Sequence, residues 1–238
     1  MDRQESYDNS GLIVGYADAE IDSVLLTVDI TEEVMDEAEK LGVGMVISHH
    51  PIVFNPLKRL TGGDYVQRVV EHAIRKGIAL YACHTNLDAV VGGLSYKVAG
   101  MLELHDVHTL DPIAGNDTGA GFGVVGELAQ PVRAEDFLRR VKDVMGLQVI
   151  RHSDLHDKPV KRISICTGSG SSLIETAVAS GADVYIAADF KYNNFLDAAG
   201  RIIIADIGHY ESEYCAIDLL YDIITKKITT FSIHKSAR

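Results

Sequence analysis

Short apolar runs alternate with amphipathic stretches along the first half of the chain, and this alternation predicts an α/β fold. Residues 23–28 and 45–48 are β-branched or aliphatic runs of strand length. Between them, Thr31 can cap a helix that ends at Gly42. Further on, a second helix begins near residue 66, because apolar positions recur there at i, i+3, i+4, i+7 and i+8.

The order of these elements repeats. Residues 23–88 read as strand, helix, strand, loop, helix, strand and then His-x-x-x-Asp, and residues 163–213 read the same way and end in His-x-x-x-Glu. Alternation of strands and helices is common, but a matching acid four residues after each histidine favours a true duplication. We therefore predict two similar α/β repeats, 1–104 and 124–238, which behave as one unit. A connection rich in Asp, Gly, Asn and Pro, 105–123, joins them.

The second half adds further elements to this prediction. A strand is expected at 124–128, an amphipathic helix at 135–146, and one last helix from His209 to about residue 224. A final strand is expected at 229–233.

Composition limits the class of protein, its partners and its cellular compartment. With 47% hydrophobic and 24% charged residues, the chain resembles an ordinary globular protein, and no apolar run approaches the ~20 residues that span a bilayer. The net charge of −12 argues against a nucleic-acid partner, since a phosphate backbone meets no general attraction. Residues 1–5 show no apolar signal-peptide core, and the three cysteines lack metal-finger spacing. We therefore expect a cytoplasmic protein with buried thiols.

Histidines follow the apolar runs at the points where strands are predicted to end. His49 and His50 come directly after residues 45–48, and His84 and His209 follow later strands. In open α/β sheets, ligands bind at the carboxyl ends of the strands. Successive side chains of an extended segment point to opposite sides, so this adjacent pair is expected to serve two ions, or one ion and a substrate. For the pair alone, a solvated strand end is the simpler interpretation.

Two carboxylates accompany these histidines. Asp88 and Glu213 each lie four residues after a histidine, a spacing that stacks both side chains on one face if the segment is helical. Four imidazoles and two carboxylates exceed what one tetrahedral ion needs, and they suit a pair of ions bridged by a carboxylate and by water. His84 is the open case, because a histidine that contacts substrate, or one that orients a ligand, fits its position equally well.

The turn at residues 168–172 (GSGSS) precedes a predicted helix and resembles a phosphate cradle. It lacks the Lys-Ser/Thr of a Walker loop and the full dinucleotide pattern. Tight packing of a helix on a strand explains the glycines as well, so both interpretations stay open.

Seven motifs of the chain resemble those of one known family. These are the dinuclear-metal proteins named for Ngg-interacting factor three, which include YbgI-like proteins and GTP cyclohydrolase 1 type 2 homologues. The motifs occur in the family's order over nearly the whole chain. They are residues 7–12 (YDNSGL), 48–51 (SHHP), 84–88 (HTNLD) with 92–93 (GG), 126–128 (GEL), 168–170 (GSG), 182–186 (ADVYI) and 208–213 (GHYESE).

The resemblance implies a fold, a site and an assembly. The fold would be two intertwined, similar α/β repeats with mixed sheets, and a metal site would lie at the carboxyl ends of the strands between them. Two divalent metal ions would be held, and zinc, iron, manganese and nickel all suit mixed histidine and carboxylate ligands. The implied ligands are His49, His50, Asp88, His209 and Glu213, with Glu213 bridging. His84 matches a family histidine that lies in the pocket, and the implied assembly is a homohexamer, a trimer of dimers.

Two classes of function fit these expectations. One is a metal-dependent hydrolase that acts on a nucleotide or phosphoester, as a GTP cyclohydrolase 1 type 2 homologue would, with His84 as the catalytic group that shuttles protons. The alternative is a non-catalytic metal-binding regulator or metal-delivery scaffold. Multiple-turnover hydrolysis separates the two classes.

Overall fold

The structure is a computed structural model that describes residues 8–115 and 117–237. In this part of the chain, strands and helices alternate as the apolar pattern predicted. The strands are β1 (Gly11–Val14), β2 (Ser23–Thr27), β3 (Met45–Ser48), β4 (Ala79–Ala82), β5 (His105–Pro112), β6 (Gly121–Val132), β7 (Arg151–His152), β8 (Val160–Ser169), β9 (Val184–Ala188), β10 (Ile203–Asp206) and β11 (Ser232–Lys235). The α-helices are α1 (Glu32–Leu41), α2 (Tyr65–Lys76), α3 (Thr85–Asp88), α4 (Leu94–Met101), α5 (Ala134–Val144), α6 (Ile174–Ala179), α7 (Tyr192–Ala198), α8 (His209–Glu213) and α9 (Ala216–Lys227).

Two expectations concern residues outside the described ranges. Tyr7 of the first motif and the N-terminal residues 1–5 lie outside the described residues. Within the described ranges, no helix is both long enough and apolar enough to cross a membrane.

The chain forms two compact units. The first contains the described residues up to Leu87 and those from Ala216 onward. Its five-stranded sheet has the order β1-β4-β3-β2-β11, in which β1 is antiparallel to β4 and the other neighbours are parallel. The core of this unit contains Leu25, Val46 and Leu80 from the sheet, and side chains of α1 and α2 pack against them.

The second unit spans Asp88–Cys215. Its six-stranded sheet has the order β5-β6-β8-β9-β10-β7, with β8, β9 and β10 parallel and the flanking pairs antiparallel. Tyr185 is the largest fully buried side chain of this unit, and its hydroxyl donates to the carbonyl of Gly170 at 2.8 Å. Both sheets are mixed, as expected.

The predicted repeat is visible in the connectivity of the two sheets. In the first, β2, β3 and β4 are adjacent parallel strands joined through α1 and α2. In the second, β8, β9 and β10 are adjacent parallel strands joined through α6 and α7. Because each set brings its carboxyl ends to one edge, the residues that follow the strands are held side by side.

Two local features were not anticipated. The 105–123 connection contains β5, an edge strand that pairs with β6. The single helix expected from His209 to about residue 224 is two helices, α8 in the second unit and α9 in the first. The strand β11 pairs with β2, more than two hundred positions earlier, so the end of the chain belongs to the first sheet. Such a distant pairing leaves no local pattern in the sequence.

Asp183 joins the start of β9 to the start of β8. One of its carboxylate oxygens accepts the N–H of Lys161 at 2.8 Å and the N–H of Arg162 at 2.9 Å. Burial opposes ionisation, but these two backbone hydrogen bonds prevail and lower the pKa of Asp183 below its ordinary value. The charged form therefore stabilises the second sheet at neutral pH.

Replacing Asp183 with alanine should lower the free energy of unfolding by about 1–3 kcal/mol at pH 7, because two partly buried N–H groups lose their acceptor. A carboxylate with a lowered pKa stabilises the fold above its unfolded pKa and loses that effect as the pH falls. The difference between wild type and Asp183→Ala should therefore shrink below about pH 4. Urea denaturation at pH 7 and pH 3 measures it, with the exposed Asp157→Ala as control. An equal difference at both pH values would contradict this role.

Candidate metal centre

The adjacent histidines His49 and His50 lie in a bend, not in an extended strand. β3 ends at Ser48, and the N–H of His50 donates to the carbonyl of Val28 at 3.0 Å. The two imidazoles therefore do not alternate across the sheet, and their ring centroids are 4.9 Å apart. The expectation that they point to opposite sides is wrong, because strand alternation ends one residue before them.

A third histidine joins this pair within the first unit. His84 follows β4, the neighbour of β3, and its ring lies 5.4 Å from that of His49 and 5.5 Å from that of His50. One nitrogen from each of the three side chains lies within 4.8 Å of the others. The three histidines, defined here as the histidine cluster, could together hold a metal ion.

Each ring of the histidine cluster is fixed by an oxygen acceptor on its Nδ1. The carbonyl of Cys83 lies 2.7 Å from Nδ1 of His49, and a carboxylate oxygen of Asp29 lies 2.8 Å from Nδ1 of His50. A carbonyl or an ionised carboxylate can only accept, so the imidazole must donate from Nδ1 in both cases. This leaves Nε2 as the atom with a free lone pair, the arrangement that metal-binding histidines use.

Asp8 is the acceptor for His84. Its Oδ1 lies 2.6 Å from Nδ1 of His84, and its Oδ2 accepts from the backbone and the hydroxyl of Thr85. Burial by itself raises the pKa of Asp8, but the hydrogen bonds from His84, Thr85 and Ser10 together lower it to about 2. Burial lowers the pKa of His84, against the opposing effect of Asp8. At neutral pH the pair is therefore a carboxylate and a neutral imidazole.

The second unit carries a separate group of donors. His209 begins α8, and its Nδ1 lies 2.7 Å from Oδ2 of Asp189. Its Nε2 lies 3.2 Å from Oε2 of Glu213, one turn further along the same helix. The hydrogen bond with Glu213 is the main cause that raises the pKa of His209 to about 9, against the effect of burial. A cation that bound to both residues would take the place of the proton between them.

Gly168 provides the space in which Glu213 lies. Its φ is +68°, and a Cβ at this position would overlap Oε1 of Glu213 and approach Nε2 of His209 to 3.4 Å. The backbone N–H of Gly168 donates to Oγ of Ser212 at 2.9 Å, which ties β8 to α8. The turn therefore holds a protein carboxylate, and the packing interpretation of residues 168–172 is favoured over the phosphate cradle.

Asp88, the remaining expected ligand, lies in the second unit. Burial raises the pKa of the Cys166 thiol to about 12, and the charges of Asp88 and Glu213 both add to that effect. Both carboxylates thus act on the same buried thiol of β8. A negative potential in this place favours a bound cation, so the donor chemistry of the second unit fits a metal ion.

Sequence reasoning placed Asp189 at a strand end but did not assign to Asp189, Asp29 or Asp8 the role of orienting a histidine. Asp29 follows β2 and Asp189 follows β9, each next to the parallel strand that carries the histidine it contacts. The signal available was an acid directly after a predicted strand. For Asp8, the only signal was its place in the first motif of the family resemblance.

These features define an α/β protein with histidine and carboxylate groups at the ends of its strands that could bind metal ions. The model of one family, Duf34/NIF3 (NGG1p interacting factor 3), matches residues 1–237. The chain belongs to this family.

Curated relatives and solved structures agree with that assignment. A GTP cyclohydrolase 1 type 2 homolog from Clostridium perfringens is 30% identical over 241 residues, covering 99% of this chain and 91% of its own. The protein of the same name from Lactococcus lactis is 36% identical over 220 residues, covering 90% and 82%. The crystal structure of a Staphylococcus aureus hypothetical protein has a TM-score of 0.92 at 26% identity and covers 100% of this chain and 91% of that chain. The predicted family and fold class are confirmed.

Replacing Gly168 with alanine should displace Glu213 as well as strain the backbone. Gly146 offers a matched control, because its φ is +65° and a Cβ there meets nothing within 4 Å. The left-handed conformation should cost roughly 1–2 kcal/mol in each variant. The overlap with Glu213 should add about 1–3 kcal/mol in Gly168→Ala alone.

Urea denaturation of both metal-free variants measures this difference. The titration of His209, followed by NMR, should shift in Gly168→Ala only. Equal stabilities and equal His209 titrations in the two variants would show that Gly168 does not shape the position of Glu213.

Proposed function

We propose that this chain binds two divalent metal ions, with Glu213 as a shared ligand. The ligands in this proposal are His49, His50, Asp88, His209 and Glu213. The observation that carries it is the anchoring of each proposed histidine ligand by an oxygen on Nδ1, which fixes the ring so that Nε2 is the atom presented to a metal ion. Zinc, iron, manganese and nickel are all compatible with these donors.

We propose in addition that the protein is a metal-dependent hydrolase. Bound divalent ions supply a water of lowered pKa and polarise a carbonyl or phosphoryl group. Within this proposal, His84 is the catalytic residue that moves a proton at Nε2, since Asp8 accepts from its Nδ1 at 2.6 Å. Burial keeps His84 neutral, so it can take up a proton at neutral pH.

The exposed loop between Ile52 and Thr61, next to the histidine cluster, supports the proposed substrate class. Its ends are fixed: Ile52 is buried in the core of the first unit, and the N–H of Thr61 donates to Oε1 of Gln67 at 2.9 Å. Between these ends, Phe54 lies edge-on to His84, with ring centroids 6.2 Å apart. The loop therefore begins at the histidine cluster and then projects into solvent.

The exposed part of this loop carries two cations and apolar side chains. Lys58 and Arg59 are exposed, and within the described residues neither forms an ion pair with a carboxylate. A chain extends at most ~3.6 Å per residue, so both lie within about 18 Å of Phe54. In a protein with a net charge of −12, local cations are needed to attract an anion. A nucleotide or phosphoester, with an apolar part and a phosphate, matches this combination.

One observation favours the second class of function, a metal-delivery or regulatory protein. The side chain of His209 is 37% exposed and that of its partner Asp189 is 51% exposed. A ligand so close to solvent can exchange its ion, and protonation of His209 would assist release. For either class we propose the homohexamer, a trimer of dimers, that the family resemblance implies.

Removal of the shared ligand should lower the metal content more than removal of a terminal ligand. We expect about two ions per chain in the wild type, loss of both in Glu213→Ala, and loss of chiefly one in Asp88→Ala. The reason is that Glu213 would contact both ions and the shorter Asp88 only one. Elemental analysis of each purified variant measures the stoichiometry.

Glu211→Ala is the control, because Glu211 lies on the same helix and is exposed. If Glu213→Ala kept both ions while Asp88→Ala lost both, the shared ligand would be assigned wrongly.

Lowering the pH through about 6.5 should release the ions from the wild type, since imidazole binds metals only when neutral. Elemental analysis after dialysis at each pH measures this loss.

The hydrolase assignment predicts turnover that depends on the histidine cluster. The metal-loaded protein should hydrolyse members of a nucleotide and phosphoester panel with multiple turnovers, and His50→Ala should abolish this while keeping its fold. The exposed His156→Ala is the control. Binding of two ions without turnover on the panel would favour the delivery or regulatory protein.

The loop is tested in the same assay. The double variant Lys58→Ala/Arg59→Ala should raise KM for phosphoesters about tenfold, the loss expected for one charge-assisted contact, and leave the metal content unchanged. Lys226→Ala/Lys227→Ala, which removes two cations from the end of α9, should change neither quantity. Equal KM values in both double variants would exclude the loop from substrate binding.

A further inference from the structure

The carboxylate of Asp206 connects the two turns that hold His209 and its acceptor. Its Oδ1 accepts the N–H of Gly208 at 3.1 Å, directly before His209. Its Oδ2 accepts the N–H of Phe190 at 3.2 Å, directly after Asp189. One carboxylate, only 11% exposed, thus fixes the backbone on both sides of the hydrogen bond between His209 and Asp189.

Arg151 binds both the turn at Phe190 and the carboxylate of Asp206. Its Nη2 donates to the carbonyl of Phe190 at 2.6 Å and to Oδ2 of Asp206 at 2.7 Å. The backbone of Phe190 is therefore bound at its N–H by Asp206 and at its carbonyl by Arg151. The guanidinium also lies over the ring of Phe195, 5.3 Å from its centroid. The short strand β7 pairs Arg151 with Asp206 in register.

The turn that these two residues hold is strained. Asp189 has a φ of +59°, a left-handed conformation that a non-glycine residue adopts at a cost. The same residue presents Oδ2 to Nδ1 of His209 at 2.7 Å. Such a conformation persists only where the surroundings fix it, and Phe190, 3% exposed and packed on Tyr185, supplies one part of that restraint. Asp206 and Arg151 supply the hydrogen-bonded part.

We infer that Arg151 and Asp206 are positioning residues that hold Asp189 in its strained turn and thereby aim Nε2 of His209 for metal binding. This inference rests on the proposed role of His209 as a ligand. Neither residue touches a ligand atom, since both act on the backbone next to Asp189 and His209. Their removal should therefore weaken metal binding while the fold of the unit remains.

The experiment measures zinc affinity and backbone protection in the full chain. Zinc binding is measured by competition with a chelator in wild type, Arg151→Ala, Asp206→Ala and Arg151→Lys. The control is Arg201→Ala, which breaks a bidentate pair of the same kind, with Glu175 at 2.8 and 2.6 Å, elsewhere in the second unit. Amide hydrogen exchange of residues 187–190 and 206–209 is followed in the metal-free proteins.

We expect Arg151→Ala and Asp206→Ala to bind zinc about 10–100-fold more weakly, the loss typical of residues that orient a metal ligand. Exchange should quicken in both turns, and Arg151→Lys should recover part of the affinity because it keeps one donor. The control should match the wild type in both measurements. Since the Arg151 side chain is 58% exposed, its variants are expected to fold even if Asp206→Ala does not.

Faster exchange in Arg151→Ala with wild-type zinc affinity would overturn the positioning role. Unchanged exchange in both turns would show that the two residues do not hold them. His209→Ala separates this failure from failure of the proposed function: if that variant also binds zinc as wild type does, His209 is not a ligand and the proposed site is wrong.

Discussion

The donation of Nδ1–H to an oxygen acceptor is the interaction on which the histidine arrangement in each unit depends. It holds the ring in place, selects one tautomer and leaves Nε2 to bind a cation. His50 uses Asp29, His84 uses Asp8 and His209 uses Asp189, at 2.6–2.8 Å. Without these acceptors, the imidazoles at the strand ends would be free to rotate, and a cation would have to order each ring on binding.

Parallel pairing is what brings each donor to its acceptor. A histidine after one strand and an oxygen after the neighbouring strand lie side by side whenever the two strands are parallel and in register. β2 and β3 pair in this way, as do β9 and β10, and each pair places an aspartate beside a histidine. The same topology therefore forms the same aspartate–histidine hydrogen bond in each unit. This shared hydrogen bond is a chemical explanation for the repeat in the sequence.

Local patterns were enough to predict most of the strands and the histidines after them, because apolar runs and strand-end residues are close in sequence. Two kinds of feature escaped. The first is pairing between distant segments: β11 pairs with β2, and Asp8 contacts His84, which lies 76 positions later. No local pattern in the sequence indicates such partners. The common orientation of His49 and His50 depended on where β3 ends, and a shift of one residue in a strand boundary reverses the direction of a side chain.

In the second unit, His209 and Glu213 explain why a proton would compete with a cation at the proposed centre. Glu213 is 4% exposed and lies against His209, and burying an unpaired carboxylate is costly. In the metal-free protein a proton on His209 provides the compensating positive charge, which is why its pKa rises to about 9. A metal ion bound to both residues, as proposed, would supply more charge in the same place and would displace that proton at neutral pH. The strained turn of Asp189 and the glycine at position 168 are the structural cost of keeping these two side chains in contact.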